Sequence, residues 1–578
     1  MNAPAAVRID RAERASFGDA FADPASPIGV SRQRLMIIML LFILVTGVIT
    51  LRLIQLSFFG RDDGGNVAKP AVTRGQILDR NGVPLATTIK LWTIAVNPQA
   101  ILGDRNALAV KLAQLMPERS VADYRRLLWS KRKFYYLRRP ADPQLAAAVQ
   151  ALGDPGLLLM TEPHRLFPQS NLAGHVLGYS QIVRNVHTGK DKLTGIGVER
   201  YFDADLAAGK TLTLSIDSRV QAALQGEIAK RMSEVQAIGG AGVVLDVHTG
   251  EVLALASLPS INPNAPLRNL DDIPNKVTLS TYELGSTFKM ITFADALEAG
   301  VLSDMSEKFD VTHPLHVGGF TIHDDEPKKR WLTVPEVMTF SSNIGTALIA
   351  DQLGADRIQA FFRKLGFYDR TSIELRERGM PQVPRYWART TVMTTAYGHG
   401  IAVTPLHLAE VYAALANGGI FHNATLLKHE GNAPVPGRRV ISEATSARIR
   451  QLMRLVVLQG TGTNADAPGL RVGGKTGTAE KVEGRGYSKR ANITVFAGVF
   501  PMDNPRYVIL TVLDDAKGSK ATAGWATAGW MTAPLVKRIA ARIGPLLGIM
   551  PENGKDIDVS DLMALLAEKK TPGKNAVE

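Results

Sequence analysis

Leu284-Gly-Ser-Thr-Phe-Lys-Met-Ile-Thr-Phe-Ala-Asp-Ala-Leu-Glu298 places a serine and a lysine three residues apart at the start of an apolar segment. The apolar spacing, with Gly300 just beyond it, predicts a helix, on which positions i and i+3 are neighbours. The Lys289 amine is therefore expected beside the Ser286 hydroxyl. A serine hydroxyl is a weak nucleophile until a base removes its proton, and lysine is such a base when burial or a nearby cation lowers its pKa. Alone, the pair also fits a capping serine and a solvated lysine.

A second string, Ser341-Ser-Asn343, follows an apolar run and precedes another. It predicts a turn or the edge of a helix. In an acyl transfer the Ser341 hydroxyl would pass a proton to the leaving amine, and the Asn343 amide would hold a peptide group. Ser342 would point elsewhere. The alternative interpretation of this string alone is a helix cap.

A third string, Lys475-Thr-Gly-Thr478, predicts an edge strand, on which alternate side chains face the same way. Gly477 would let a substrate backbone lie close to the strand. The backbone N–H groups of Ser286 and Thr478 would form an oxyanion hole, in which each donor is worth about 3 kcal/mol. The hydroxyls of Thr476 and Thr478, with the Lys475 amine, would bind a terminal carboxylate.

Residues 469–476 also match the pattern of a phosphate-binding P-loop. A P-loop requires an apolar strand before it and a helix after it. Here a loop with Asp466 and Pro468 precedes the match, and a charged loop with two glycines follows it. These flanking residues argue against a nucleotide site.

Histidine and acidic residues cluster between His313 and Glu326, but their spacing fits no established metal site. We therefore predict no metal and no cofactor. The chain has no cysteine, which excludes disulfides, thiolate metal sites and a cysteine nucleophile. Its net charge of +13 favours anionic lipid or anionic polymer as a partner, or only a solvated basic surface. No nucleic-acid-binding motif accompanies that charge.

The N-terminal part contains one candidate for a membrane anchor. Residues 35–51 carry no charge, and an apolar stretch continues to Phe59, which is long enough to cross a bilayer. No small-residue cleavage site follows, so we interpret residues 35–59 as an uncleaved transmembrane signal anchor, with a buried core helix as the alternative. Residues 1–34 would be a polar cytoplasmic segment. Arginines lie on both sides of the span, so charge does not settle its orientation.

Beyond the anchor, the pattern predicts a β-rich N-terminal domain over residues 60–216 and a second domain over residues 217–550. In the second domain, strands precede and follow a helical middle, and the strands are linked as hairpins. We predict an α/β (α+β) fold with a five-stranded, mainly antiparallel sheet flanked by helices. Residues 551–578 would be a flexible tail.

The order, spacing and local context of the three strings resemble those of the class B penicillin-binding proteins, which are membrane-anchored peptidoglycan D,D-transpeptidases. One difference is Leu284, where many relatives have proline before the Gly-Ser pair. Further stretches that resemble the family are Thr73–Gly82, Gly195–Tyr201, Asp246–Ala254, Asn262–Asn264, Thr404–Leu406 and Thr522–Trp525.

The resemblance implies a penicillin-binding transpeptidase fold on an elongated pedestal or dimerisation-type domain. It implies that Ser286 is acylated by a stem peptide of peptidoglycan, that a second stem's amine then forms the cross-link, and that β-lactams trap the serine. Lys289, Ser341, Asn343 and Lys475 are the other catalytic residues it implies.

Chain length and the Ser341–Gly345 segment favour the division-specific (FtsI-type) branch. The implied partners are lipid-linked glycan strands, a membrane glycan polymerase (FtsW-like) and other division proteins. The implied place is the bacterial inner membrane at the septum, with the catalytic domain in the periplasm. Alternatives are an elongation-specific transpeptidase, a division scaffold, and a β-lactam sensor.

Overall fold

The computed structural model describes residues 27–58, 73–184, 191–265, 273–431, 434–483 and 486–566. The chain divides into two compact units, Met1–Val72 and Thr73–Glu578.

The first unit contains a single described helix, α1 (Pro27–Phe58). Within it, Arg34–Arg52 is apolar and long enough to cross a membrane. Large apolar side chains from Leu35 to Leu51 are exposed, as expected for a helix that contacts lipid. The helix begins before residue 35, where the anchor was predicted to begin, because Pro27 suits the first turn of a helix and the polar residues after it continue that helix.

The second unit begins with a β-rich region. Its elements are β1 (Ile77–Leu78), β2 (Pro84–Val96), α2 (Arg105–Leu115), α3 (Val121–Leu128), β3 (Tyr135–Ala141), α4 (Pro143–Gln150), β4 (Leu157–Leu166), α5 (Gly174–Leu177), β5 (Tyr179–Arg184), β6 (Asp191–Ile196), α6 (Gly197–Tyr201), α7 (Asp203–Ala207) and β7 (Leu212–Thr213). β1, β2, β3, β4 and β7 form one five-stranded sheet. The Asn81–Gly82 pair makes the predicted turn between β1 and β2.

The remaining described elements alternate between helices and strands. They are α8 (Ser218–Glu234), β8 (Gly239–Asp246), β9 (Val252–Leu258), α9 (Phe288–Glu298), β10 (Lys308–Asp310), β11 (Leu315–Val317), β12 (Phe320–Ile322), β13 (Trp331–Thr333), α10 (Val334–Thr339), α11 (Asn343–Leu353), α12 (Ala355–Lys364), α13 (Arg389–Thr395), α14 (Pro405–Ala416), β14 (Ile420–Phe421), β15 (Arg438–Arg439), α15 (Glu443–Gln459), β16 (Gly473–Glu483), β17 (Gly486–Phe500), β18 (Tyr507–Asp514), α16 (Ala528–Met531), α17 (Ala533–Leu546) and α18 (Ser560–Met563).

The predicted five-stranded antiparallel sheet is confirmed, with the order β16-β17-β18-β8-β9. Helices cover both faces, so the central strand β18 is buried along its whole length. Side chains such as Val243 and Leu510 pack in the core that contains α9, α14 and α15, whereas Val244 and Ile509 pack in the core that contains α8 and α17. The strand that bears Lys475 is an edge strand, as predicted.

The two predicted domains share a hydrophobic core. Ile77 and Val176 from the β-rich region belong to the same buried cluster as Leu245 of the large sheet. At the junction, the Asp79 carboxylate accepts hydrogen bonds from the Ser218 backbone N–H and hydroxyl at the start of α8. The boundary at residue 217 therefore stays a prediction.

Residues 551–566 are docked, which makes the prediction of a flexible tail wrong for this part of it; residues 567–578 lie outside the described chain. Leu562 is fully buried, and Asp556 pairs with Arg454 on α15. The Leu565 carbonyl accepts a hydrogen bond from Thr333, which caps α10. These contacts join residues more than a hundred positions apart, so no local pattern revealed them.

Candidate active site

Ser286 lies on a 3₁₀ turn, Gly285–Thr287, which leads directly into α9. The turn packs tightly against β16. A Cβ atom on Gly285, whose φ is +53°, would lie 2.8 Å from the Thr478 carbonyl oxygen, and one on Gly477 would lie 2.3 Å from the Leu284 carbonyl oxygen. Glycine at both positions therefore lets the nucleophile turn and the edge strand come together.

Lys289 is fully buried on the first turn of α9. Its amine donates to the Ser341 hydroxyl at 3.1 Å, to the Asn343 side-chain oxygen at 2.7 Å and to the Ser341 carbonyl. We expected this amine beside the Ser286 hydroxyl, but no hydrogen bond joins those two described side chains. The acceptors on the Ser341 turn hold the amine there instead.

Ser341 is the point at which the three strings meet. Its hydroxyl accepts hydrogen bonds from Lys289 and, at 3.0 Å, from Lys475. Its backbone has a φ of +58°, a left-handed conformation that is uncommon for serine. The side-chain amide of Asn343 donates to the His323 carbonyl at 2.9 Å. Hydrogen bonds thus join four of the five residues that we predicted to be catalytic, Lys289, Ser341, Asn343 and Lys475, and Ser286 lies three residues before Lys289.

Asp324 holds this turn in place, and sequence reasoning did not assign it a role. Its carboxylate accepts from the Ser342 hydroxyl at 2.7 Å and from the Ile344 backbone N–H at 3.0 Å. Ser342 in turn caps α11 by accepting from the Gly345 N–H. Ser342 therefore points away from the lysines, as predicted. The only sequence signal for Asp324 was its place in the His- and Asp-rich stretch.

The electrostatics of the site are dominated by two buried amines that have no carboxylate partner among the described residues. Burial lowers the pKa of Lys289 to about 7, against the opposing charges of Asp324 and Asp325. Burial, and then the charge of Lys289, lower the pKa of Lys475 well below its ordinary value. The two amines thus compete for protons, and a neutral amine is available near neutral pH.

The two threonines of the third string differ in exposure. The Thr476 hydroxyl is buried and shares a 2.6 Å hydrogen bond with the hydroxyl of Thr461, a residue that no motif indicated. Thr478 is exposed, and its hydroxyl accepts from the Ala528 backbone N–H. Strand alternation predicted that Lys475 would face away from both threonines, but its long side chain brings the amine to the Ser341 hydroxyl at 3.0 Å and also to the Thr476 hydroxyl at 3.3 Å.

Comparison with known proteins agrees with this geometry. Residues 240–539 match the model of the penicillin binding protein transpeptidase domain, and residues 69–249 match that of the penicillin-binding protein dimerisation domain. The chain belongs to the class B penicillin-binding proteins. It is 36% identical over 501 residues to the probable peptidoglycan D,D-transpeptidase FtsI of Caulobacter vibrioides, covering 84% of this chain and 83% of that protein.

Other members of the family show the same relation. The chain is 32% identical over 497 residues to the peptidoglycan D,D-transpeptidase FtsI of Escherichia coli K12, covering 79% of this chain and 82% of that protein. Among solved structures it is similar to penicillin binding protein 3 of Mycobacterium tuberculosis in complex with aztreonam, with a TM-score of 0.64 and 26% identity. That match covers 83% of this chain and 98% of the other.

Proposed function

We propose that this protein is a serine-type peptidoglycan D,D-transpeptidase of the division-specific branch, which cross-links the stem peptides of septal cell wall. The observation that carries the proposal is the Ser341 hydroxyl, which accepts hydrogen bonds from both Lys289 and Lys475 beside the nucleophile turn. This arrangement connects a base with a proton relay, and the base lies three residues after the proposed nucleophile Ser286. Family membership and the FtsI names of the relatives support the same activity and branch.

In the proposed acylation step, neutral Lys289 accepts the proton of Ser286, and Ser286 Oγ attacks the carbonyl of the penultimate D-alanine of a donor stem. The Ser286 and Thr478 backbone N–H groups stabilise the oxyanion. This assignment is supported by the packing of Gly285 against the Thr478 backbone. The proton then reaches the leaving D-alanine amine through Ser341, which lies within hydrogen-bond distance of both lysines.

In the second step, the amine of another stem attacks the acyl carbonyl, the bond from that carbonyl to Ser286 Oγ breaks, and the same relay carries the amine proton back to Ser286. Lys475, with the Thr476 and Thr478 hydroxyls, is proposed to bind the terminal carboxylate of the donor. That negative charge would favour the protonated form of Lys475 and leave Lys289 as the neutral base. Asn343 is proposed to hold the donor peptide after rotating away from the Lys289 amine.

The helix α1 supports a membrane-anchored protein. We propose that residues 1–34 lie in the cytoplasm, that residues 35–59 anchor the chain in the inner membrane, and that both following domains lie in the periplasm at the septum. Residues 60–216 would be the pedestal that contacts an FtsW-like glycan polymerase and other division proteins. Lipid-linked glycan strands would reach the catalytic domain from that polymerase.

Labelling with a fluorescent penicillin, followed by mass mapping, tests the proposed function. The wild-type chain should form a single acyl adduct on Ser286, and Ser286→Ala should form none. Ser342→Ala is the matched control: it removes a serine of the second string that points away from the lysines, and it should still be labelled on Ser286, although more slowly because α11 loses its cap. An adduct elsewhere, or a labelled Ser286→Ala chain, would rule out Ser286 as the nucleophile. If Ser286→Ala still supported septation in cells, the scaffold alternative would be favoured.

A further inference from the structure

A cavity of about 360 Å³ lies away from the nucleophile turn, among the end of α12, the middle of α14 and the β14–β15 hairpin. Small-molecule sites in proteins have volumes of roughly 300–1,000 Å³, so this space suits a small metabolite. None of the residues assigned above to catalysis or substrate binding lines it. We call this space the Arg438 cavity.

Three guanidinium groups line the Arg438 cavity: Arg363, Arg370 and Arg438. None of them forms an ion pair with a described residue. Arg363 lies over the Tyr368 ring at 4.8 Å, and Arg438 lies over the Phe421 ring at 3.9 Å, which holds both side chains at the wall. Arg438 Nε donates to the Lys364 carbonyl, whereas its two terminal nitrogens donate to no described residue. The guanidinium charges at this wall are therefore not paired in an ion pair with any described residue, although Glu410 and Asp369 are near enough to favour protonated Arg438.

The lining also contains buried polar groups that are incompletely used. Thr371 is 5% exposed, and its hydroxyl has no hydrogen-bond partner among the described residues. A buried hydroxyl without a partner is unfavourable, and a bound ligand that accepts its hydrogen bond would remove that cost. Glu410 is 2% exposed, and among the described residues it accepts one hydrogen bond, from the Ala424 N–H, through a single carboxyl oxygen.

The charge balance of the lining is positive. Burial raises the pKa of Glu410 to about 8, so this side chain is mostly neutral at pH 7 and is able to donate a hydrogen bond. Asp369 is then the single carboxylate against three guanidinium groups. Arginine forks match phosphate and carboxylate oxygens in geometry as well as charge.

We propose that the Arg438 cavity binds a small anionic molecule, through a phosphate or carboxylate group held by Arg438 and its neighbouring arginines, with the Thr371 hydroxyl as a further donor. The site is distinct from the acylation site, but one of its walls, α14, also contacts the nucleophile turn. α14 carries Glu410 and also Tyr412, whose hydroxyl donates to the Thr287 carbonyl behind the nucleophile. A bound anion would therefore lie against an element that supports the nucleophile turn.

Isothermal titration of the detergent-solubilised full chain tests the proposal, with inorganic pyrophosphate and citrate as probes and sodium chloride at matched ionic strength in the cell and syringe. Saturable binding of one equivalent is expected for at least one probe, and the tighter probe identifies the preferred group. Arg438→Gln should weaken that binding by about tenfold or more, the loss expected for one charge-assisted hydrogen bond. Thr371→Val should weaken it by a smaller factor.

Arg439→Gln is the matched control, because Arg439 is the next residue of β15 but donates to the Gly418 and Ile441 carbonyls and does not line the cavity. It should bind the probe like the wild type. Penicillin labelling of Arg438→Gln at the wild-type level would show that this variant is folded. Absence of saturable binding by either probe to the wild type, or equal weakening by Arg438→Gln and Arg439→Gln, would overturn the proposal.

Discussion

The catalytic domain holds buried cations in two contrasting ways. At the candidate active site, Lys289 and Lys475 are fully buried and donate to hydroxyl and carbonyl oxygens without an ion pair to any described residue. On α15, Arg454 is 5% exposed and donates to the carboxylates of Asp466 and Asp556 and to the Val472 carbonyl. The first arrangement leaves positive charge uncompensated, whereas the second neutralises it.

A buried cation thus serves catalysis when it has no counter-ion and serves stability when it has one. A buried amine without a counter-ion loses its proton easily, which is what a base near neutral pH requires. A paired guanidinium keeps its charge and joins three segments, namely α15, the turn before β16 and the docked C-terminal residues. The same domain thus combines a catalytic centre whose buried charges form no ion pair with a described residue and a structural region whose buried charge is paired.

The largest expected effect comes from replacing Lys289 with methionine, which keeps an unbranched side chain and removes the amine. Loss of a general base costs roughly 10²–10⁴-fold in rate, so acylation by benzylpenicillin should fall by about that factor. Stability should stay the same or rise, because the variant no longer buries an unpaired amine. Stopped-flow acylation and thermal unfolding of the same preparation measure the two effects. A folded variant that is less stable than the wild type but is acylated at the normal rate would show that Lys289 has a structural role and not a catalytic one.

For Arg454→Met we expect the opposite result, a loss of stability with little loss of activity. Removing one partner of a buried ion pair costs about 3–5 kcal/mol, and the partial exposure of Asp466 and Asp556 places this site at the lower end of that range. The unfolding midpoint in urea should therefore fall clearly. At a temperature where the variant is folded, its acylation rate should stay within a few-fold of the wild type. Arg450→Met, on the same helix but without an ion pair to a described residue, is the control.

A smaller effect is expected for Asp324→Ala, which removes the acceptor of the Ser342 hydroxyl and the Ile344 N–H. The Ile344 N–H is a free donor in the first turn of α11, so loss of its acceptor should cost about 1 kcal/mol, as the loss of a helix cap does. The Ser341 turn should also lose part of its order, so that acylation falls by about tenfold. Asp325→Asn is the matched control, because it removes a nearby charge but no hydrogen bond to a described residue. It should leave stability nearly unchanged and move the pH dependence of acylation to lower pH, since Asp325 favours protonated Lys289.

Several features of the fold and of the candidate site were predictable from the sequence because each depends on a short run of residues. The Ser286–Lys289 spacing, the edge strand at Lys475 and the hairpin of β8 and β9 each follow from a short pattern. Contacts between distant segments were not predictable. Four such contacts depend on the assembled fold. They are the hydrogen bond from Lys289 to Ser341, the hydrogen bond from Ser342 to Asp324, the Thr461–Thr476 hydrogen bond and the burial of Leu562.

Stability should also depend on pH in a definite direction. The folded state disfavours protonated Lys289, so between pH about 7 and the ordinary lysine pKa of 10.5 the unfolded chain binds more protons than the folded one. Burial of Lys289 therefore makes the free energy of unfolding rise with pH across that window. Below pH about 7, the whole destabilisation caused by burying the charged amine is present. Lys289→Met should lack this contribution, which urea titrations at several pH values will measure.

The central claim, that burial makes Lys289 the base, is tested most directly by the pH dependence of acylation by benzylpenicillin. The rate constant should rise with pH through an apparent pKa near 7 and then level off. Because the chain has no cysteine, Lys289→Cys can be alkylated selectively to S-aminoethylcysteine, which restores an amine that is less basic than lysine. We expect activity to return and the rising limb to move to lower pH. A restored activity whose limb stays in the wild-type position would contradict the assignment of Lys289 as the base.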